Sequence, residues 1–161
     1  MRVNLIDLAT HVMIRQPWLR GGVEHMTKDD SVRLITRFYH EMWNHFDKSI
    51  FPELLTEDIR FRGSLGKYAV GYREFGHYVD YIRYAFPDFN NVIEEIISED
   101  NKSFVQLTYQ GTHQGEIFGI KPTRKSITYA GAAVFSFKND RISEVWVPGD
   151  IYGLLQQLTE E

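Results

Sequence analysis

Residues 127–147 read ITYAGAAVFSFKNDRISEVWV. The first part, Ile127 to Phe137, is rich in β-branched and aromatic residues, which favour a strand. The polar run Lys138-Asn139-Asp140-Arg141 has the chemistry of a tight turn, and Ile142 to Val147 returns to strand-forming residues. This stretch therefore predicts two long strands joined by a hairpin turn.

The segments just before the hairpin also predict strands. Val92 to Ile97 and Phe104 to Tyr109 are short β-rich runs separated by the polar turn Glu99-Asp100-Asn101-Lys102. After the hairpin, Pro148-Gly149 breaks the last strand, and Ile151 to Leu158 predicts a closing helix. The second half of the chain is thus expected to be mostly sheet.

The first half predicts helices. A helix is expected to begin at Asp29 or Asp30, whose carboxylates can cap free backbone N–H groups. Apolar residues then recur at intervals of three and four, which indicates one buried stripe: Val32, Ile35, Tyr39, Met42 and Phe46.

Three further elements complete this half. We expect a short helix over Glu53 to Leu55, a strand over Ile59 to Arg62, and a helix over Tyr72 to Phe86 that Pro87 ends. Helices followed by long consecutive strands are typical of an α+β fold with the helices on one face of an antiparallel sheet.

The bulk properties narrow the class of protein. A chain of 161 residues fits one domain, which we assign to residues 29–161 after an N-terminal arm of residues 1–28 containing Pro17 and Gly21-Gly22. The net charge of −4 argues against a nucleic-acid binder. The absence of cysteine, of a signal-peptide core and of a membrane-spanning run predicts a cytoplasmic protein that does not enter a membrane.

Five segments between residues 30 and 158 resemble one known family, in order and in spacing. They are Trp43-Asn44, Phe86-Pro87-Asp88, Gly111-Thr112-His113-Gln114-Gly115, Phe118-Gly119-Ile120-Lys121-Pro122-Thr123, and the run from Ile142 to Asp150 that leads into Leu154-Leu155-Gln156-Gln157-Leu158.

The family is the SnoaL-like polyketide cyclases of the NTF2-like superfamily. The resemblance implies an α+β cone around a small-molecule pocket, usually paired into dimers or higher oligomers such as tetramers. It also implies an aldol ring closure on an aromatic polyketide ester, with no metal or organic cofactor. Two departures stand out: Arg124 and Lys125 replace a glycine and a basic residue, and Pro148-Gly149 interrupts the approach to Asp150.

Asp150 is the predicted base for such a closure. A carboxylate in an apolar pocket can remove the acidic proton between two carbonyls. Trp146 lies four residues earlier, so both side chains face the cone interior if Pro148-Gly149 does not reverse the alternation. The alternative is that Asp150 caps the closing helix, and the two roles are compatible.

His113 is the predicted acid or hydrogen-bond donor. It follows a strand in which Val105, Leu107 and Tyr109 share its face, so it would point into the pocket if that face lines it. The alternative is a structural histidine bonded to a backbone carbonyl near Gly111 and Gly115.

Five further residues are candidate substrate contacts: Tyr39, Trp43, Asn44, Glu144 and Trp146. Glu144 shares the face of Ile142 and Trp146 by simple alternation, which makes it a second base if it points inward and a solvated side chain if it does not. Late in the first helix, Tyr39, Trp43 and Asn44 offer aromatic walls and an amide to a planar ligand, or form plain core.

The expected function is therefore a cofactor-independent, SnoaL-like cyclase or isomerase acting on a planar apolar carbonyl compound, aromatic or polycyclic, in a homo-oligomer. No metal is expected, because His40 and His45 are five apart and do not share a helical face. Two alternatives stay open. One is a binding module without chemistry, and the other is an oligomeric interaction protein whose pocket is filled by bulky side chains: Phe104, Phe118, Tyr129, Phe135 and Phe137.

Overall fold

A computed structural model describes residues 26–160, which form helices and one sheet. The helical elements are α1 (Lys28–Arg37), a π-helical segment (Phe38–Trp43), a 3-10 turn (Lys48–Ile50), α2 (Phe51–Leu54), α3 (Gly71–Ala85) and α4 (Ile151–Thr159). The strands are β1 (Leu55–Arg62), β2 (Tyr68–Val70), β3 (Asn90–Glu99), β4 (Lys102–Thr112), β5 (Ser126–Lys138) and β6 (Arg141–Trp146). Residues 1–25 of the predicted arm lie outside the described residues, so the arm stays a prediction.

The six strands form a single sheet in the order β2-β1-β6-β5-β4-β3. Neighbours pair antiparallel except β1 and β6, which run parallel. The α+β prediction is confirmed, and β3 to β6 form an antiparallel meander. The one correction is that β1, which precedes α3 in the chain, runs parallel to β6, so the sheet is not wholly antiparallel.

The helices cover one face of this sheet, which we call the inner face. Within the described part of the chain, α3 packs on β1 and β2, α4 packs on β5, and α1 packs on β3. Along β4, the side chains of Val105, Leu107 and Tyr109 alternate into this layer and are buried. The period-two pattern that predicted the strand therefore also identified its buried face.

The start of α1 differs from the expectation. Thr27, not Asp29 or Asp30, caps the helix, and its hydroxyl accepts a hydrogen bond from the Asp30 backbone N–H at 3.1 Å. The two aspartates lie in the first turn, where negative charge favours the helix dipole. Val32 is 39% exposed, whereas Ile35, Tyr39 and Met42 of the predicted stripe are buried, together with Leu34.

The Phe-Pro-Asp segment fastens α3 to the end of β4. The Asp88 carboxylate accepts hydrogen bonds from the backbone N–H and the hydroxyl of Thr112, both at 2.7 Å. Burial alone raises the pKa of Asp88, but these two bonds outweigh it and leave the pKa below its usual value. This contact fixes the start of the loop 113–125.

The end of that loop holds α4. The Lys125 ammonium donates to the backbone carbonyls of Gln157, at 3.3 Å, and of Glu160. A cation at a helix C-terminus satisfies carbonyls that have no partner within the helix. Lys125 thus has a structural role at the end of α4. Between residues 26 and 160, no helix is long and apolar enough to cross a membrane.

Candidate functional site

A small cavity lies between the helices and the inner face of the sheet. Its volume is about 30 Å³, which is room for roughly one water molecule, about 30 Å³ in the liquid. It is lined by Phe38, Tyr39, Trp43, Phe61, Ser64, Tyr78, Ile82, Phe89, Asn91, Tyr109, Tyr129 and Val147. Since ligand pockets typically measure about 300–1,000 Å³, a ring-sized ligand needs some of these side chains to move.

The π-helical segment supplies one wall of this cavity. Its wider turns carry hydrogen bonds five residues apart, from the Asn44 N–H to the Tyr39 carbonyl and from the Asp47 N–H to the Met42 carbonyl, both at 2.9 Å. Phe38, Tyr39 and Trp43 all reach the cavity from it. Such segments are rare and occur often at functional sites. The predicted contacts Tyr39 and Trp43 therefore lie in the cavity wall.

Asn44 supports the cavity without lining it. Its side-chain oxygen accepts from the backbone N–H of Asn91 at 2.8 Å and from the Asn91 amide at 2.9 Å. Its own amide donates to the Asn91 carbonyl at 3.2 Å. Asn91 is buried and lines the cavity. The predicted ligand contact at Asn44 is thus a clamp that positions Asn91.

Four tyrosines place their rings in the lining. Burial raises the pKa of Tyr39, Tyr109 and Tyr129 above the usual value. Burial also raises the pKa of Tyr78 to about 12, with the hydroxyl of Ser64 acting in the opposite direction. All four phenols consequently keep their protons at neutral pH and can donate hydrogen bonds.

Two glycines make room for these rings. A Cβ atom on Gly131 would lie 2.1 Å from a ring carbon of Tyr109, and one on Gly63 would lie 2.1 Å from the Tyr78 hydroxyl oxygen. Both distances are far below van der Waals contact. The tyrosine positions therefore depend on the absence of side chains at residues 63 and 131.

Asp150 lies outside this lining. Its side chain is exposed and caps α4, accepting from the Gly153 N–H at 2.9 Å. The capping alternative is confirmed. The neighbouring Gly149 contacts the cavity wall, because a Cβ there would lie 2.8 Å from Ser64 and 3.5 Å from the Tyr129 ring.

Glu144 and Trp146 lie on the opposite, outer face of the sheet. A bulge in β6 pairs Glu144 with Ser136 but Ile142 with Phe137, so one extra residue interrupts the alternation. Ile142 is buried while Trp146 is 44% exposed, with the Arg62 guanidinium 5.5 Å from its ring centre. The expectation that Trp146 faces the cone interior, and that Glu144 shares the face of Ile142, is wrong.

His113 is fully buried but does not line the cavity. Its Nδ1 accepts from the Thr123 backbone N–H at 3.1 Å and lies 3.0 Å from the Thr123 hydroxyl. Its Nε2 has no hydrogen-bond partner among residues 26–160. The histidine therefore holds the loop 113–125 through Thr123, and not through a backbone carbonyl near Gly111 or Gly115.

The lining contains no aspartate, glutamate, histidine, lysine or arginine. A search of the described residues also finds no cluster of His, Asp and Glu suited to a metal ion. Sequence reasoning missed Ser64, Tyr78, Tyr109, Tyr129 and Asn91 as site residues. Helix periodicity placed Tyr78, and strand alternation placed Tyr109, on a buried face. Neither pattern distinguishes a cavity wall from plain core.

Comparison with known families and sequences gives evidence about the family of this chain that is independent of the geometry. The family model for SnoaL-like polyketide cyclases matches residues 33–158. No curated protein sequence matches the chain significantly.

Many solved structures share the fold. A proposed SnoaL-like polyketide cyclase from Jannaschia sp. CCS1 superposes with a TM-score of 0.76 at 17% identity, covering 88% of this chain and 97% of that chain. AclR, a proposed hydroxylase from Streptomyces galilaeus, gives 0.72 at 21% identity, covering 84% and 88%. A protein with a ketosteroid isomerase-like fold from Catenulispora acidiphila gives 0.67 at 11% identity, covering 78% and 91%.

Proposed function

We propose, since the chain belongs to the SnoaL-like polyketide cyclase family, that its aromatic cavity binds a small, planar carbonyl compound. The observation that carries this proposal is the composition of the lining, in which aromatic rings dominate and Ser64 and Asn91 add polar groups. Ligand sites typically combine such apolar walls with a few converging polar groups. A planar ring fits this environment because it can stack on the walls while its oxygen finds a donor.

Entry of the ligand involves the less buried side of the cavity. Ser64 and Tyr78 are half-buried, whereas Tyr39, Trp43 and Tyr109 are buried. Ser64 lies in the turn between β1 and β2. A hydrogen bond from the Gly66 N–H to the Gly63 carbonyl, at 3.0 Å, closes this turn. We assign the mouth of the cavity to this turn and the neighbouring Tyr78.

A second candidate function is the acid–base ring closure itself, with Asp150 as base and His113 as acid or donor. Asp150 directly follows Gly149, which touches Ser64 and Tyr129 of the cavity wall, and this contact favours the proposal. It requires the carboxylate to leave the Gly153 N–H and turn toward the cavity. Binding without turnover requires no such movement, and the uncharged lining favours it.

One experiment tests both versions. Calorimetric titration with a panel of polycyclic phenols and β-keto esters measures binding, and product analysis on the same mixtures measures turnover. Asp150→Asn is the informative variant because asparagine caps a helix as well as aspartate does, so α4 stays capped while the base is lost. The aromatic cavity predicts saturable, micromolar-range binding that Asp150→Asn retains.

The outcomes separate the functions. Turnover in the wild type that Asp150→Asn abolishes, with binding retained, establishes the ring closure. Binding without turnover in either protein establishes the binding function. If no compound on the panel binds, the small-molecule proposal is wrong, and the interaction-protein alternative takes its place.

We also propose that the protein is a homodimer paired through the outer face of the sheet. Ile97, Phe104, Val134 and Trp146 lie in register on neighbouring strands and form an apolar row across that face. Ile97 is 55% exposed and Phe104 40%. Ile97, Phe104 and Val134 line a shallow groove of about 400 Å³. Exposed apolar surface that is continuous across strands favours a protein partner.

The charges beside this row indicate a second copy as that partner. Glu95 and Glu99 lie two residues either side of Ile97 on β3, and Arg62 on β1 pairs in register with Trp146 at the other end of the row. Two copies related by a two-fold axis place the acidic end of one against the basic end of the other.

The bulky residues that were expected to fill the pocket in the interaction-protein alternative fall into two groups. Phe104 and Phe118 are exposed, whereas Tyr129, Phe135 and Phe137 are buried.

A further inference from the structure

Three hydroxyl-bearing side chains lie in the wall of the cavity. They belong to Ser64, in the turn between β1 and β2, to Tyr78 on α3 and to Tyr129 on β5. The Ser64 hydroxyl acts on both phenols and lowers the pKa of each against the larger effect of burial. These groups come from three separate elements, so the fold, and not a local sequence motif, brings them together.

Close backbone approaches constrain the side chains of Tyr78 and Ser64. Gly63 leaves room for the Tyr78 hydroxyl, since a Cβ there would lie 2.1 Å from its oxygen. Gly149 packs against Ser64 and the Tyr129 ring, with a Cβ position 2.8 Å and 3.5 Å away. The rings are also held by aromatic neighbours: Tyr129 lies 5.0 Å from Tyr109, and Tyr78 lies 5.0 Å from Phe61. The donors are therefore pre-positioned before a ligand binds.

The charge at this point of the cavity is zero. No lining residue is ionisable except the tyrosines, which stay protonated at neutral pH. The Arg62 guanidinium lies outside the lining, donates to the Val147 carbonyl at 3.1 Å and lies 5.5 Å from the Trp146 ring centre. A carboxylate bound here would lose its water without gaining an opposite charge, which is unfavourable. A ketone or phenol oxygen gives up far less hydration.

The free volume also matches a single oxygen atom. The cavity of about 30 Å³ holds roughly one water molecule of about that volume. A ligand oxygen at this position can accept hydrogen bonds from the surrounding O–H groups. Hydroxyl donors fixed around a ligand oxygen in a site of low dielectric also stabilise negative charge that develops on it.

We infer that Ser64, Tyr78 and Tyr129 form an uncharged oxygen-binding site that selects neutral aryl ketones and phenols over aryl carboxylates. The inference rests on the proposed function, because it specifies which ligands the aromatic cavity accepts. It assigns ligand recognition to three residues in the cavity wall and gives no role to Asp150 or His113.

A set of shape-matched probes tests this site in the full-length protein. The probes are 2-acetylnaphthalene, the hydrocarbon 2-isopropenylnaphthalene and 2-naphthoate, titrated by calorimetry at pH 7. The ketone is expected to bind about threefold to tenfold more tightly than the hydrocarbon, as one or two net hydrogen bonds provide. The naphthoate is expected to bind more weakly than the ketone by at least about tenfold.

Variants then assign the effect to residues. Tyr78→Phe, Tyr129→Phe and Ser64→Ala each remove one oxygen with little change of volume, and each should remove most of the ketone's advantage over the hydrocarbon. Tyr84→Phe is the matched control, since Tyr84 lies on α3 but is 60% exposed. Because the phenols titrate well above neutrality, ketone affinity should not change between pH 6 and pH 9.

The failures of the two proposals are distinguishable. If none of the three probes binds, the small-molecule proposal itself fails. If ketone and hydrocarbon bind equally well, or the three variants match Tyr84→Phe, the cavity binds rings but the oxygen site is wrong. Tightest binding of the naphthoate overturns the site as well, because it indicates recognition of charge through Arg62.

Discussion

At the scale of single residues, Gly131 controls the position of Tyr109. Residue 131 lies on β5 beside the cavity, and a Cβ there would lie 2.1 Å from one ring carbon of Tyr109 and 2.8 Å from another. Protein interiors are close-packed, so such an overlap forces the ring or the strand to shift. The cavity wall at Tyr109 is therefore defined by the residue that faces it as much as by the tyrosine.

This contact leads to a stability prediction. Gly131→Ala is expected to lower the free energy of unfolding by about 1–3 kcal/mol, as overpacking of a core does, measured by urea denaturation. Gly76→Ala is the matched control. A Cβ on Gly76 meets its neighbours at ordinary distances of 3.5 and 3.8 Å, inside α3. That variant should leave stability unchanged or raise it by up to about 1 kcal/mol. Equal effects of the two substitutions would contradict the packing argument.

At the scale of secondary-structure elements, Asn44 joins the π-helical segment to β3. Its side chain makes three hydrogen bonds to Asn91, two of them to the backbone of that buried residue. Asn91 is buried, so water does not readily replace these bonds if they are lost. The wall formed by Phe38, Tyr39 and Trp43 is thereby fixed relative to the sheet.

Asn44→Ala should consequently destabilise the protein by about 2–4 kcal/mol, because it removes the partner of two buried donors and one buried acceptor of Asn91. Urea denaturation measures the loss. Asn101→Ala, in the exposed turn between β3 and β4, is the control and should change stability by less than about 0.5 kcal/mol. A loss below about 1 kcal/mol in Asn44→Ala would show that the clamp is not needed.

The elements also show what sequence reasoning could and could not reach. Helix periodicity located α1 and α3, and the β-rich runs located β3 to β6, because burial of one face imposes a regular pattern on side chains. β2 was missed because Tyr68 and Val70 are exposed and only Ala69 is buried. The parallel pairing of β1 with β6 joins residues far apart in the chain, which no local pattern reveals.

The candidate site was harder to predict than the fold. The bulge at Ser143 shifts the alternation in β6 by one residue. A serine at this position does not by itself predict a bulge. Glu144 and Trp146 were therefore assigned to the wrong face relative to Ile142. The change from α to π geometry at Phe38 likewise depends on backbone hydrogen bonds that the residue types do not predict. Tyr39 and Trp43 were located correctly because an aromatic stripe is buried in either geometry.

At the scale of the whole molecule, the outer face of the sheet determines the expected assembly. Apolar residues that are half-exposed in one chain lose that exposure when two chains pair, and each buried Å² contributes about 25 cal/mol. Ile97→Lys and Phe104→Lys introduce charge into the apolar row at positions 55% and 40% exposed, where the fold tolerates it.

Both variants are expected to convert a dimer into a monomer, measured by light scattering after size-exclusion chromatography. Tyr152→Lys, on α4 and 73% exposed, is the control and should remain dimeric. High salt should weaken the wild-type dimer, because the acidic and basic ends of the row are screened. A wild-type protein that is monomeric at all concentrations, or variants that still pair, would contradict the assignment of this face.

The parallel pairing of β1 with β6 has a consequence for synthesis on the ribosome. β1 ends at Arg62, and its neighbour in the sheet does not begin until Arg141. While the nascent chain grows, β1 can pair only with the three-residue β2, which is too little for a stable sheet. The inner wall of the cavity, which includes Phe61 and Val147, therefore closes only after the last strand has left the exit tunnel. Until β6 has formed, one edge of β1 stays unpaired and can pair with another polypeptide.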